Sequence, residues 1–326
     1  MESKLFTPVT FGPLTLRNRT IRSAAFESMC PGNAPSDMLL DYHRSVAAGG
    51  IGMTTVAYAA VTQSGLSFDR QLWMRPEIIP GLRRLTDAIH AEGAAAGIQL
   101  GHCGNMSHKS ICGCMPVGAS SGFNLYSPTF VRGLRADELP EMARAYGRSV
   151  NLAREAGFDS VEIHAGHGYL ISQFLSPSTN HRKDEFGGSL QNRMRFMDMV
   201  MEEVMKAAGS DMAVFVKMNM RDGFKGGMEI DESIQVAKRL LELGAHGLVL
   251  SGGFVSKAPM YVMRGAMPIR SMSYYMNCWW LKYGVRMFGK WMIPSVPFKE
   301  AYFLEDALKF RAALPDAPLI YVGGLV

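Results

Sequence analysis

Two histidines and a tyrosine stand within six residues of one another, directly after a short apolar run at 160–164. His164, His167 and Tyr169 are separated by glycines that allow a sharp turn. Two imidazole N–H groups can donate to one substrate oxygen and stabilise charge that develops there. A phenol beside them can give a proton to a carbon that becomes basic. A lone histidine here would more often be structural and Tyr169 alone a core residue, but the triplet favours chemistry.

Two further polar residues interrupt apolar runs. An amide at Gln99, in GIQLG, can pair with both edges of a heterocycle or, alternatively, meet solvent at a strand end. Lys217 stands in VFVKMN, and a buried cation needs an anionic partner. That partner is either an anionic ring such as a reduced flavin or an internal carboxylate such as Glu162. The residues alone leave both readings of Lys217 open.

Gly323 and Gly324 follow the last apolar run of the chain. Backbone N–H groups at glycines can approach a phosphate closely, and α/β barrels build a phosphate site from the loops after strands seven and eight. The pair therefore indicates a phosphate site. No standard zinc spacing occurs among the Cys and His residues, so no metal site is predicted.

The elements that must position these residues alternate along the chain after a hairpin at 1–20, which is expected to plug one end of a barrel. Strands are predicted at 20–25, 52–61, 96–100, 160–164, 213–218, 247–251 and 319–322. Helices are predicted at 37–48, 80–92, 138–156, 189–208, 231–243 and 299–313. Continuously apolar strands indicate a parallel sheet covered by helices. Without a GxGxxG turn, seven such units favour a (β/α)8 TIM barrel over a dinucleotide-binding fold, truncated before its eighth unit.

Two long segments depart from a minimal barrel, and both are expected to border its active face. Residues 101–134 read as a loop, and 254–296 as a Met/Trp/Tyr-rich insertion after strand six. The run WWLKYGVRMFGKWM in the insertion fits a substrate lid, a contact in a homo-oligomer or a membrane-surface segment. Because the run has no clean helical stripe, a lid or a dimer contact is favoured.

Composition narrows the class of protein. The chain has 326 residues, a formal charge of +5 without a block of like charges, and five Cys. The charge pattern gives little support to nucleic-acid binding, and the odd Cys count favours a reduced, cytoplasmic compartment. No signal peptide or transmembrane segment is predicted.

With these residues in view, the chain resembles the Old Yellow Enzyme family of FMN-dependent NAD(P)H:flavin oxidoreductases, most closely its bacterial ene-reductase and 2,4-dienoyl-CoA reductase branch. The runs that carry the resemblance are FGPLTLRNR at 11–19, GIQLGH at 97–102 and EIHAGHGYLISQFLSPSTNHRKDEFGGSLQNRMRF at 162–196. The last is highly specific, and the resemblance covers nearly the whole chain.

The resemblance implies one FMN-binding barrel domain over 1–326 that passes hydride from NAD(P)H through flavin to an activated alkene in a small molecule. His164 and His167 would hold the substrate oxygen, and Tyr169 would protonate the α-carbon. The residues implied to contact FMN are Ser23, Ala24, Ala25, Phe26, Gln99 and Lys217, with Gly323 and Gly324 at its phosphate.

Three departures from the family accompany the resemblance. Phe26 falls where the family usually has Thr or Cys, and Lys217 replaces the usual Arg, which keeps the charge but loses the planar fork. The eighth strand would normally bring a Gly-Arg pair to the phosphate. One alternative is therefore a truncated, non-catalytic barrel that binds a ligand or partner. Another is a flavin barrel acting on RNA, of the dihydrouridine-synthase kind, which the absence of a basic stripe disfavours.

Overall fold

The computed structural model describes residues 3–124, 129–274, 279–292 and 295–324. The strands in these ranges are β1 (Val9–Phe11), β2 (Leu14–Leu16), β3 (Ile21–Arg22), β4 (Met53–Ala60), β5 (Ala95–Gly101), β6 (Val117–Gly118), β7 (Gly122–Asn124), β8 (Thr129–Gly133), β9 (Ser160–Ala165), β10 (Ala213–Asn219), β11 (Gly247–Ser251) and β12 (Leu319–Tyr321). The helices are α1 (Asp37–Ala48), α2 (Ile79–Ala91), α3 (Lys109–Cys112), α4 (Leu139–Glu155), α5 (Leu170–Leu175), α6 (Leu190–Ala208), α7 (Ile230–Glu242), α8 (Pro259–Met263), α9 (Ile269–Tyr274), α10 (Trp279–Met292) and α11 (Leu304–Ala313).

Seven strands form one parallel sheet in the order β12-β11-β10-β9-β5-β4-β3. Every residue of β4, β9, β10 and β11 is buried. This burial is why these strands are apolar along their whole length rather than in alternation. The fold is an α/β, TIM-barrel-like arrangement with an N-terminal hairpin. Truncation before an eighth unit stays a prediction.

The hairpin β1–β2 lies at the N-terminal ends of the barrel strands. Its Phe11 and Leu16 are buried in one cluster with the first residues of β4 and β10, Met53 and Ala213. The rings of Phe11 and Phe215 meet edge to face with centroids 5.2 Å apart. The hairpin therefore closes the end of the barrel opposite to the strand C-termini, as predicted.

Helices α1, α2, α4, α6, α7 and α11 follow the strands and contribute their apolar faces to the main core. Ser36 caps α1 by accepting a hydrogen bond from Leu39 N, as helix N-termini require. Among the described residues no helix is long and apolar enough to cross a membrane.

Two segments and the start of one helix differ from their predictions. Residues 101–134 are not one loop, because they contain α3 and the three-stranded sheet β6-β8-β7. The insertion at 254–296 contains the helices α8, α9 and α10, although the apolar residues of 279–292 cover too wide an arc to form a narrow stripe. The last predicted helix begins at Leu304 rather than at 299. In all three cases short or exposed elements leave weak patterns in sequence.

Candidate active site

The three residues with the strongest chemical signal come together at the C-terminal end of β9. His164 is buried near the end of the strand, and the His167 and Tyr169 rings are half-buried in the turn that follows. The His164 ring centroid lies 5.1 Å from that of His167 and 4.4 Å from that of Tyr169, and both pairs meet edge to face. Tyr58 of β4 packs against Tyr169 at 5.2 Å. The three predicted catalytic side chains thus form one cluster.

The turn that presents His167 has an unusual backbone. His167 has φ of +58° and Gly168 has φ of +82°, a region that costs a non-glycine residue about 1–2 kcal/mol. Asn219 Oδ1 accepts the His167 N–H at 2.9 Å, and Val255 N donates to the His167 carbonyl at 3.0 Å. These bonds hold the left-handed turn, and strain of this kind is typical of functional sites.

Two residues that orient His167 were missed in the sequence. Asn219 ends β10, and Ser251 ends β11 with its Oγ 2.8 Å from His167 Nε2. The only signal in the sequence was a polar residue at the end of an apolar strand, which many strands share. Parallel pairing brings these strand ends to the same edge of the sheet.

Both histidines are held neutral. Burial, His167 and Lys217 place the pKa of His164 well below its usual range. Burial and Lys217 lower the pKa of His167 to about 3. His164 Nδ1 accepts the Gly166 N–H at 3.4 Å, which leaves the proton of the neutral ring on Nε2. His164 can therefore donate one N–H to a substrate without carrying a charge.

A second cluster lies deeper in the barrel, on β5, β9 and β10. Lys217 Nζ is 2.9 Å from Glu162 Oε1, and Gln99 Nε2 donates to the same oxygen at 2.6 Å. Lys217 also donates to Ser23 Oγ at 3.1 Å. The side chains of Gln99, Glu162 and Lys217 are almost fully buried. Of the two partners that the sequence left open for Lys217, the internal carboxylate is present here.

The segment after β3 supplies the next predicted contacts. Lys217 Nζ donates to the Ala24 carbonyl at 3.3 Å, and Arg22 donates to the Ala25 carbonyl at 3.3 Å. Phe26 is exposed and stacks on Phe68, with ring centroids 4.6 Å apart. The backbone of this segment is thereby tied to the deeper cluster.

The glycines after β12 face the same region. One cavity of about 280 Å³ lies between the edge strands β3 and β12 of the sheet. It is lined by Ser23, Glu162, Gly323 and Gly324, among others. Both glycines have positive φ, and a Cβ on Gly323 would meet the ring of Phe303 at 2.7 Å. Only glycine therefore fits at position 323, and without a side chain its backbone N–H can be approached closely by a ligand. Glu162 and His164 are two residues apart on β9, so they share a face of the sheet.

This arrangement fits FMN. Buried donors at Gln99 and Lys217 suit the polar edge of an isoalloxazine ring, and a glycine-lined cavity at Gly323 and Gly324 suits a phosphate. Among the described residues no group of three or more His, Cys, Asp or Glu is placed to hold a metal ion.

The polar loop after α5 acts as scaffolding. Asn180 Nδ2 donates to the carbonyls of Phe174 and Phe186 at 2.8 and 2.7 Å. Arg182 Nε donates to Asp184 at 2.9 Å. The loop residues bond to one another and to the backbone, which fixes the segment that follows the histidines.

The chain is similar to known proteins over most of its length. The model of the NADH:flavin oxidoreductase / NADH oxidase family matches residues 4–279. A 4,4'-dithiodibutanoate disulfide reductase from Rhodococcus erythropolis is 40% identical over 98% of this chain and 79% of its own length. An NADPH dehydrogenase from Bacillus subtilis (strain 168) is 34% identical over 81% of this chain and 78% of its own length.

A solved structure of 2-naphthoyl-CoA reductase with 2-naphthoyl-CoA has a similar fold. It aligns with a TM-score of 0.82 and 24% identity over 97% of this chain. The chain spans 46% of that reductase, so the likeness concerns one part of a larger protein and shows the fold alone.

Proposed function

Because the chain belongs to the NADH:flavin oxidoreductase / NADH oxidase family, the Old Yellow Enzyme family, we propose that it uses FMN to pass hydride from NAD(P)H to the C=C bond of an α,β-unsaturated carbonyl compound. The chain is an oxidoreductase of that family, and the family uses flavin and NAD(P)H. The observation that carries the finer proposal is the cluster of two neutral histidines and a tyrosine at the end of β9.

The proposed flavin site uses the deeper cluster and the cavity. Gln99, Lys217 and the backbone of Ser23–Ala25 would hold the ring, and Gly323 and Gly324 would hold the phosphate. The chemistry that FMN supplies when bound is hydride acceptance from NAD(P)H and hydride delivery to the substrate. Lys217 lies 2.9 Å from Glu162, and it would stabilise negative charge on the ring.

The residues at the end of β9 would handle the substrate. Neutral His164 would donate its Nε2–H to the carbonyl oxygen, and neutral His167 would donate its Nδ1–H while its Nε2 accepts from the Ser251 hydroxyl. Charge develops on that oxygen as the β-carbon is reduced. The Ser251 and Asn219 contacts would hold His167 in that orientation. Tyr169 would give its phenolic proton to the α-carbon and recover a proton from solvent.

A disulfide is the second candidate substrate. The observation that favours it is the 40% identity to the dithiodibutanoate disulfide reductase over 98% of this chain. Reducing a disulfide breaks one S–S bond and consumes two electrons and two protons to give two thiols. NAD(P)H would supply the electrons, and Tyr169 would again supply a proton.

The two half-reactions test the proposal. Purified protein with FMN is first reduced with NADPH without oxygen and then mixed with 2-cyclohexenone or with 4,4'-dithiodibutanoate. Tyr169→Phe should leave reduction of the flavin nearly unchanged and slow its reoxidation by cyclohexenone about a hundredfold or more. Tyr283→Phe, an exposed tyrosine on α10, is the matched control and should change neither rate.

The outcomes separate the candidates. Reoxidation by the disulfide but not by the enone would favour the second substrate class. Reduction of the flavin with no reoxidation by either compound would contradict both. Unchanged rates in Tyr169→Phe would remove Tyr169 as the proton donor. His164→Ala should weaken binding of a phenol that perturbs the flavin spectrum, and an unaltered titration would remove His164 from the site.

A further inference from the structure

Helix α10 exposes an unusually large set of apolar side chains. At 100° per residue they occupy one half of the helix circumference. The exposed side chains of this outer face are Trp279, Trp280, Tyr283, Met287, Phe288 and Trp291, from 55% exposed for Phe288 to 90% for Trp291. Helices of soluble proteins turn such residues toward their core.

The opposite side of α10 lies against α9. Gly289 faces Ile269 so closely that a Cβ would meet its side chain at 3.1 Å. Arg286 Nε donates to Ser273 Oγ at 2.9 Å, and Lys282 Nζ reaches the Tyr274 carbonyl at 3.5 Å. These contacts place α9 on one side of α10 and leave the outer face to solvent within the described part of the chain.

The outer face is large for a protein surface. Aromatic side chains carry about 150–250 Å² each, so six large side chains that are roughly two-thirds exposed present about 800 Å². The largest apolar patch of a typical monomer is about 300–600 Å², and larger patches mark binding surfaces. The size of the outer face therefore indicates a surface that binds a partner.

The charge of the surrounding segment indicates what kind of partner the outer face binds. The segment 254–296 contains six Lys and Arg residues and no Asp or Glu, although the whole chain carries only +5. Arg270 and Arg286 are exposed. A homodimer with twofold symmetry would place this same basic segment against itself, and like charges across such an interface repel. A surface of negative charge is the complementary partner.

We propose that α10 docks on an anionic lipid surface, with its axis parallel to the membrane. Trp and Tyr suit the boundary between headgroups and acyl chains because one end of the ring is apolar and the other is polar. A helix with an aromatic face and flanking cations lies in that boundary with its apolar face about 5–10 Å deep. The barrel would then stay in water, since no described helix could span the bilayer.

The 326-residue chain can be tested directly by flotation with lipid vesicles. Vesicles of phosphatidylcholine alone are compared with vesicles of phosphatidylcholine and phosphatidylglycerol in equal parts. Protein should float only with the anionic vesicles, and less at high salt. Three of the four tryptophans of the chain are Trp279, Trp280 and Trp291, so their fluorescence should shift to the blue on binding.

Matched variants separate the apolar and electrostatic parts. Trp280→Ser combined with Trp291→Ser should abolish flotation, whereas Phe130→Ser, which removes a ring 70% exposed on β8, should not. Arg286→Glu should weaken binding about fivefold or more. Lys206→Glu, at an exposed position on α6, is the charge control and should have a smaller effect.

Three results would overturn the proposal. The first is no flotation of the wild type with anionic vesicles at low salt. The second is equal flotation of the wild type and the double tryptophan variant. The third is a concentration-dependent dimer in analytical ultracentrifugation that the double tryptophan variant lacks, with no binding to vesicles; the outer face would then join two copies of the chain.

Discussion

The strand ends around β9 and the helix α10 contrast in how their side chains are satisfied. Around β9, the buried polar groups find partners within the chain, as Lys217 does with Glu162 and His167 with Ser251. On α10, large apolar side chains face solvent. The polar groups of the first region are satisfied within the fold, whereas the apolar side chains of the second are left to contact something outside the chain. Substitutions in the first should therefore change stability, and substitutions in the second should change binding.

The largest effect is expected where a buried ion pair is broken. Lys217→Met would leave the Glu162 carboxylate buried without its cation, which should lower the free energy of unfolding by about 3–5 kcal/mol. Urea unfolding measures the change. Combining Lys217→Met with Glu162→Gln should recover part of the loss, because neither charge remains. Lys206→Met, on the exposed side of α6, is the control. An equal loss in Lys217→Met and in Lys206→Met would show that the ion pair with Glu162 does not stabilise the fold.

The turn after β9 gives the next effect. Gly168 and Gly226 have nearly the same φ, +82° and +83°, but only Gly168 is crowded: a Cβ there would overlap the ring of Phe254, whereas nothing lies within 4 Å at Gly226. Both alanine variants should lose about 1–2 kcal/mol from backbone strain. Gly168→Ala should lose about 1–3 kcal/mol more from overpacking. Equal unfolding midpoints would show that the Phe254 contact does not hold the turn.

The neutral histidines predict a dependence of stability on pH. Unfolded histidine has a pKa of about 6.5, and folded His167 has a pKa of about 3. Between these values the unfolded state binds more protons, so stability falls as the pH falls from about 6.5 toward 3. Replacing His167 with Gln should reduce that slope by up to about 1.4 kcal/mol per pH unit. Urea midpoints measured from pH 6.5 downward test this, and an unchanged slope would mean that His167 titrates normally.

The smallest effect on stability is expected on α10. Trp280→Ser removes a side chain that is 63% exposed, and such surface changes usually stay within about 0.5 kcal/mol. Thermal unfolding of this variant should match the wild type. A loss of several kcal/mol would show that the outer face packs against the chain itself and would remove the contrast between the two regions.

The sequence predicted the parts of the fold that local pattern determines. Strand β11 lies where predicted, at 247–251, because a fully buried strand is apolar throughout. The grouping of His164, His167 and Tyr169 followed from their spacing. The choice between the two partners that the sequence left open for Lys217 did not, because strand register decides it, and register is a property of the whole sheet.

Other features had no local signal. Asn219 and Ser251 matter because the left-handed turn at His167 meets the ends of β10 and β11. The strands β6, β7 and β8 are two to five residues long and depend on pairing rather than on propensity. Helix α10 was missed because its apolar residues, with Leu281 and Val285 included, spread over about 240° of the helix circumference and leave no narrow stripe in the sequence.

The visible absorption spectrum of the 326-residue chain, after incubation with FMN and desalting, shows whether these strand ends form a flavin site. We expect flavin bands to stay with the wild type and with Trp280→Ser, because the strand ends and the glycines after β12 would hold the cofactor. The bands should be lost from Lys217→Met under the same conditions. A wild-type protein that is colourless after desalting would contradict the claim that these strand ends form a flavin site.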